Sequence, residues 1–380
     1  MEKSYIASLE AIRNIMGCIR KITPKTHYPH DKAALSDIRT GYVDGNPVKR
    51  LVITLRAPGC SWVKKGGGCL MCGHYTGTTQ GDKPSHKDIY AQFRNEIGLY
   101  DIKKFSVISI YNSGSMLNPE EIETEALEQI FLFIKKTGTI KKVVIESRAE
   151  YVKPEPVKHL SEILGNPIKL SVAMGLETHD DIKRDLCLNK GCSLKDIEDA
   201  VNSLKGIAET QLYVLLGLPF LTESETIEDT TETLKWAADS GADEIHIEPV
   251  TLQKNTFIEL LVKKGLYKLP SIYSVYEVLK KVVPEIRPYV SPFMHMPLPE
   301  KIPGGCPKCT DRLVKGLLEN YNIRRDRKSL EYPECDCIGE WRKRLSETDK
   351  RPLTERISDI MTILHRQSSR DAINKVSASI

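Results

Sequence analysis

The sequence predicts an α/β protein: a partial (β/α)6 barrel of the TIM type, followed by a small cysteine-bearing module. Two observations carry this. Six short apolar runs alternate with segments of helical periodicity, the pattern of a parallel sheet with right-handed helical crossovers. Seven of the ten cysteines fall into two groups, one just after the first run and one near the C-terminus.

The chain opens on an amphipathic segment over 5–20 that reads as a helix. Residues 1–49 are expected to form a helical extension ahead of the barrel. The first strand-like run is 50–56, Arg-Leu-Val-Ile-Thr-Leu-Arg, ended by Pro58-Gly59. The others span 105–111, 142–147, 168–175, 211–218 and 244–250, with helical patterns between them at 119–136, 193–204 and 223–238. Thr222, with Glu225 three residues on, predicts a capping box. Six units make an open barrel rather than the closed eight-unit form, and its functional residues should gather at the C-terminal strand ends. The barrel is expected over 50–300 and the second module over 301–380.

Composition bounds the class. The 380 residues are 40% hydrophobic and 28% charged, enough for a large core in a soluble protein. The net charge of +4 is small, but its distribution is uneven. From Lys301 onward there are 17 basic and 12 acidic residues, a surplus that suits a polyanion such as RNA as well as an ordinary solvated surface. The N-terminal segment has acidic residues and no long apolar stretch, so no signal peptide is expected, and the reading is cytoplasmic. Thiols stay reduced there, which turns grouped cysteines toward metal ligation or catalysis. Cys18, Cys187 and Cys192 stand apart and read as ordinary small side chains.

The first group, Cys60, Cys69 and Cys72, sits at C-x8-C-x2-C on a glycine-rich loop directly after a strand. Three thiolates suit a [4Fe–4S] cluster that keeps one iron open. A zinc site completed by His74 is the alternative that spacing leaves open. The second group pairs Cys306 and Cys309 with Cys335 and Cys337. Four thiolates in two close pairs suit structural zinc, with a second iron–sulfur cluster as the alternative. A helix-like stretch over 311–321 lies between the pairs. Around them stand Lys315, Arg324, Arg325, Arg327, Lys328, Arg342, Lys343 and Arg344, a candidate docking face for RNA phosphates.

The first loop resembles the cluster loop of radical S-adenosylmethionine (SAM) enzymes, in the subgroup that includes the Elongator catalytic subunit. Later segments resemble the same superfamily in order: 111–116 (Tyr-Asn-Ser-Gly-Ser-Met), 146–148 (Glu-Ser-Arg), 175–178 (Gly-Leu-Glu-Thr), 189–191 (Asn-Lys-Gly), 217–219 (Gly-Leu-Pro) and 248–250 (Glu-Pro-Val). Over nearly its whole length the chain is most similar to the archaeosine-biosynthesis family. The resemblance implies that the open iron chelates SAM and that one electron releases a 5′-deoxyadenosyl radical. It implies that Ser113, Gly114, Ser115, Glu146, Arg148, Glu177, Arg184, Pro249 and Val250 hold SAM, with Arg184 on its carboxylate. Met71 takes the place of a common aromatic residue, and Trp62 or Tyr75 is expected to share its role near adenine.

It further implies a tRNA substrate bearing lysine on a 7-deazaguanine base of the D-loop. An ArcS-type lysine-transferring subunit and an electron donor such as a ferredoxin are the implied partners. The implied reaction cleaves the lysine C–N bond and leaves archaeosine. Two other readings stay open: a different Elongator-like tRNA modifier, and a non-enzymatic iron–sulfur or zinc scaffold that binds RNA.

Overall fold

The computed structural model describes residues 2–293, 297–332 and 334–377. Its centre is one eight-stranded sheet in which spatial order follows chain order. The strands are β1 (Leu35–Val43), β2 (Asn46–Thr54), β3 (Val107–Tyr111), β4 (Lys142–Glu146), β5 (Lys169–Glu177), β6 (Glu209–Leu216), β7 (Glu244–Pro249) and β8 (Tyr289–Val290). From β2 to β8 every neighbour is parallel, while β1 is antiparallel to β2. The six expected runs are thus β2 to β7, and the open barrel carries one extra strand on each edge.

The expected helical extension over 1–49 holds both a helix, Glu2–Ile22, and β1, and β2 itself begins before the expected barrel start at 50. The turn between β1 and β2 is Asp44-Gly45, with Val43 paired to Asn46 and φ values of 50° and 77°. Two positive φ angles give the hairpin turn whose twist matches the strands, and Asp-Gly is a preferred sequence for it. β1 lacked a strand pattern because it is a largely polar edge strand with only Gly41 buried.

The helices cover the outer face. Those at His86–Ile97, Leu194–Leu204 and Glu223–Asp239 each begin with a complete capping box: Ser85 with Asp88, Ser193 with Asp196, and the expected Thr222 with Glu225. Together with the helices Thr124–Thr137 and Pro154–Leu164 they bury Phe93, Phe131, Ile134, Leu160, Leu204 and Leu234 against the outward side chains of the strands. Each such side chain contributes about 1.5–3 kcal/mol by leaving water. The first helix lies across the barrel mouth, packing Ile12, Met16 and Ile19 with Leu70, Phe257 and Leu261.

The sheet curls until its edges touch at the base. Tyr42 of β1 stacks on Tyr289 of β8 at 3.9 Å, with the Arg325 guanidinium 4.4 Å from the Tyr289 ring centre. Inside the base, Lys142 Nζ meets Glu209 at 2.7 Å and Glu244 at 2.5 Å. The C-terminal segment adds Cys309, Leu313, Leu317, Tyr321 and Trp341 to the same core as Tyr273 and Tyr276 of the helix Ile272–Val282. Among the described residues no helix is long and apolar enough to cross a membrane.

Candidate active site at the barrel mouth

The loop after β2 is shaped by what its glycines permit. Gly59, Gly67 and Gly68 have φ between 80° and 89°, a region costly for other residues. Gly66 and Gly191 grip the Trp62 ring so closely that a Cβ on either would come within 2.3 Å of it. Trp62 Nε1 donates to Asn189 O at 2.7 Å, and Arg13 and Arg148 lie 5.9 and 5.7 Å from its ring. Asn189, itself at φ 52°, donates from Nδ2 to Gly66 O and Gly68 O at 2.7 and 2.9 Å. Further along, Gly73 N donates to Gln253 Oε1 at 2.8 Å, and Arg20 binds Gly67 O and Cys72 O.

This scaffold brings Cys60, Cys69 and Cys72 to one end of a cavity of about 320 Å³. Burial pushes the Cys60 thiol up to about 12 and also raises that of Cys72. Protons on these sulfurs are therefore held until a metal displaces them. Among the described residues only the C-terminal four cysteines have donor atoms within reach of a single ion. The three loop sulfurs do not form such a group.

The loop after β3 lies across from them. Asn112 N and Ser113 N donate to Glu146 Oε1 at 3.1 and 3.0 Å, and Ser113 has φ 57°. A Cβ on Gly114 would meet Glu121 at 2.0 Å and the Cys60 backbone at 3.2 Å, so the two loops touch there. The buried Glu121 carboxylate ties them, accepting from Ser61 N at 2.9 Å and Ser115 N at 2.6 Å. Glu146 lines the cavity, and desolvation there pushes its carboxyl up to about 7. Strained backbone at Ser113 and Glu177, both lining this cavity, fits a preorganised site.

Of the expected SAM residues, Met71, Ser113, Gly114, Glu146, Arg148, Glu177, Pro249 and Val250 line the cavity with the three cysteines. Ser115 does not; it is fully buried, and its hydroxyl accepts from Arg148 N at 3.2 Å. Arg184 is corrected outright. It is fully buried behind β5, where it donates to Leu176 O at 2.8 Å and to Thr178 O and pairs with Asp181. These carbonyls occupy a guanidinium that was expected to meet a carboxylate. Trp62 and Tyr75 are also absent from the lining, because Trp62 is spent on the glycine loop. The cation in the expected place is Lys190, whose Nζ meets Glu177 Oε1 at 2.7 Å. Lys190 sat in the Asn-Lys-Gly segment, but no spacing rule distinguished it from a surface lysine.

The second cysteine group closes as its spacing suggested. All four Sγ atoms lie within 4.8 Å of one another and can hold a metal ion. Cys306 is 3.6 Å from Cys335, and Cys309 is 3.5 Å from Cys337. Tyr273 OH reaches Cys309 and Cys337 at 3.6 and 3.5 Å. The basic set around it divides. Arg344 turns inward to the buried Glu223, Arg325 covers Tyr289, and Arg327 Nε donates to Val283 O at 2.6 Å. Arg324, Lys328, Arg342 and Lys343 are exposed, and Lys315 extends toward Glu319.

No family model matches the chain. It is 32% identical over 332 residues to archaeosine synthase subunit beta of Methanosarcina acetivorans, covering 84% of this chain and 92% of that one. It is 29% identical over 309 residues to the protein of the same name from Thermococcus kodakarensis, covering 79% and 92%. Among solved structures it is similar to the Elp3 protein of Methanocaldococcus infernus lacking its N-terminus, with a TM-score of 0.46, 19% identity and coverage of 62% and 59%. It is also similar to methylornithine synthase, with a TM-score of 0.44, 15% identity and coverage of 76% and 74%.

Proposed function

The chain belongs to the archaeosine synthase subunit beta family, and from that premise we propose a radical SAM enzyme that completes archaeosine on tRNA by cleaving the C–N bond of a lysine adduct. The observation that carries this reading is the meeting of Cys60, Cys69 and Cys72 with Glu146, Arg148 and Lys190 around one cavity at the C-terminal strand ends.

The residues suit the cofactors. Soft thiolates without a fourth cysteine leave an iron open to a chelating ligand. The cavity volume falls in the range of small-molecule sites. When bound, a [4Fe–4S] cluster and SAM supply the one-electron chemistry and the hydrogen-abstracting group. The chain's own residues do the rest. Arg148 and Lys190 put positive charge beside the thiolates and, at Lys190, a partner for the SAM carboxylate. Glu146 fixes the Ser113 backbone by accepting from its amide, and the Ser113 hydroxyl is suited to accept from the SAM amino group. Met71, Pro249 and Val250 offer an apolar wall for adenine. Leu70, beneath the first helix, shields the cluster side from water.

In this reading the substrate loses a hydrogen atom from the carbon beside the lysine side-chain nitrogen. Loss of a second electron, to a one-electron acceptor such as an oxidised ferredoxin-like protein, and C–N cleavage then leave the formamidine on the base, while the lysine remnant departs as a cyclic imine. An ArcS-type partner supplies the adduct, and a ferredoxin-like donor supplies electrons. The exposed Arg324, Lys328, Arg342 and Lys343 are suited to tRNA phosphates. Zinc suits the four-cysteine group, since tetrahedral Zn–S bonds of about 2.3 Å put sulfurs roughly 3.8 Å apart.

The test is 5′-deoxyadenosine formation by reconstituted protein with SAM, dithionite and tRNA, with or without the lysine adduct. Adduct-dependent formation that disappears in Cys72→Ala supports the reading. Formation independent of the adduct keeps the enzyme class and removes the substrate. No product from protein with a verified four-iron cluster favours an RNA-binding scaffold.

A further inference from the structure

The cavity continues well below the thiols, and its lower wall has no role in the chemistry above. Arg39 of β1 and Arg50 of β2 are direct cross-strand partners, and both line it. Like charges facing each other on one sheet surface repel. Such a pair makes a poor brace and a good anion clamp. Arg39 Nε is held by Asp37 at 2.9 Å, while Arg50 Nε is buried with no acceptor. The Gln211 amide nitrogen on β6, from a side chain in a residue only 2% exposed, is likewise buried and unpartnered. Buried donors without acceptors are uncommon in folded proteins and call for an explanation.

One carboxyl shares this wall. Glu248 of β7 lines the cavity beside Ser291 and close enough to Arg39 and Arg50 to be influenced by both. Unpartnered donors and a carboxyl on one cavity wall form the complement of a zwitterion. The depth also fits. Arg50 lies four residues before Thr54 along β2, or about 13 Å below the strand end at a rise of about 3.3 Å per residue. That leaves room for a reacting carbon near the mouth and an alkyl chain reaching down.

We propose that the lower lumen holds the free α-amino-acid end of the substrate lysine, its carboxylate on Arg39, Arg50 and Gln211 and its ammonium on Glu248. The identity of the amino acid rests on the reaction proposed above; the match to a zwitterion rests on the wall itself. Held this way, the lysine is anchored by the end that does not react, and its nitrogen-bearing carbon is turned toward the mouth.

The test is calorimetric titration of the full-length protein with Nε-acetyl-L-lysine, N-acetylcadaverine and 6-acetamidohexanoate at millimolar concentrations. These keep the chain and delete, in turn, nothing, the carboxylate and the ammonium. Nε-acetyl-L-lysine should bind, and each truncated analogue should bind at least about tenfold more weakly, the loss of one charge-assisted contact. Arg50→Met and, independently, Gln211→Leu should bring Nε-acetyl-L-lysine down toward N-acetylcadaverine while leaving the latter unchanged. Equal binding of all three by the unaltered protein, or binding of none, overturns the proposal without needing a variant. Adduct-dependent 5′-deoxyadenosine without this discrimination defeats the pocket alone. Discrimination without adduct-dependent product defeats the proposed reaction and leaves the pocket.

Discussion

At the scale of single residues, the cavity wall holds ionisable groups under strain, and their titration is a measurable consequence. Burial pushes Glu248 from its usual 4.5 up to about 8. A carboxyl raised on folding is neutral in both states below pH 4.5, where it costs nothing. As pH rises toward 8 the unfolded chain releases this proton first, so stability falls across that window. Glu248→Gln removes the titration. Its advantage over the unaltered protein should be near zero at pH 4.5 and grow to about 4 kcal/mol at pH 8, read from urea unfolding of the cofactor-free chain. A constant difference at all pH values would place the raised carboxyl elsewhere. The same scale shows what sequence reading reached. The three loop cysteines, Glu146 and Glu177 were legible because their spacing and motif context name them. Arg184 was misread because a guanidinium that binds carbonyls at the end of the preceding strand looks, in sequence, like one waiting for a ligand. Lys190, Arg39, Arg50 and Gln211 belong to the cavity through register and the curl of the sheet, neither of which single-residue chemistry reveals.

Between elements, the site depends on one carboxylate that joins two loops. Glu121 accepts amide protons from Ser61 beside Cys60 and from Ser115 beside the Ser113–Gly114 turn, and takes Asn118 Nδ2 at 3.0 Å. It sits just before the helix Thr124–Thr137, so a crossover connection sets the spacing between a cluster ligand and the loop facing it. Glu121→Ala strands two buried N–H groups and should cost about 3 kcal/mol in the cofactor-free protein. It should also release iron faster than the unaltered protein after reconstitution, measured as iron retained on gel filtration. Unchanged iron retention would mean that the loops hold their places without this tie. Helices and interior strands announced themselves through periodicity, and Thr222 through its capping box. The edges did not. β1 mixes polar and apolar side chains on both faces, and β8 has only two residues, so neither makes a pattern; Asp44-Gly45 was the one cue to the hairpin.

Over the whole molecule, the C-terminal cysteines are wired into the barrel. Tyr273 belongs to the helix Ile272–Val282, yet its hydroxyl reaches two of the four sulfurs. Trp341 Nε1 donates to Ser274 Oγ at 2.9 Å, and Arg344 neutralises the buried Glu223 at the start of the helix that follows β6. A metal at Cys306, Cys309, Cys335 and Cys337 would therefore brace the wall that supports β6 and β7, whose inner faces carry Gln211 and Glu248. Removing it should not release an independent unit. It should leave Glu223 facing a loosened partner and open the shared core around Leu313 and Trp341. Cys337→Ser, or chelation in mild denaturant, should lower one common thermal transition by about 4–5 °C, the effect of roughly 3–4 kcal/mol on a chain of this size. Calorimetry distinguishes the outcomes: a single shifted peak supports a brace, and a small early peak ahead of an unmoved main one would mean the module folds on its own. A brace also predicts that the cysteine variant binds Nε-acetyl-L-lysine less tightly, although no cysteine of that group lines the cavity.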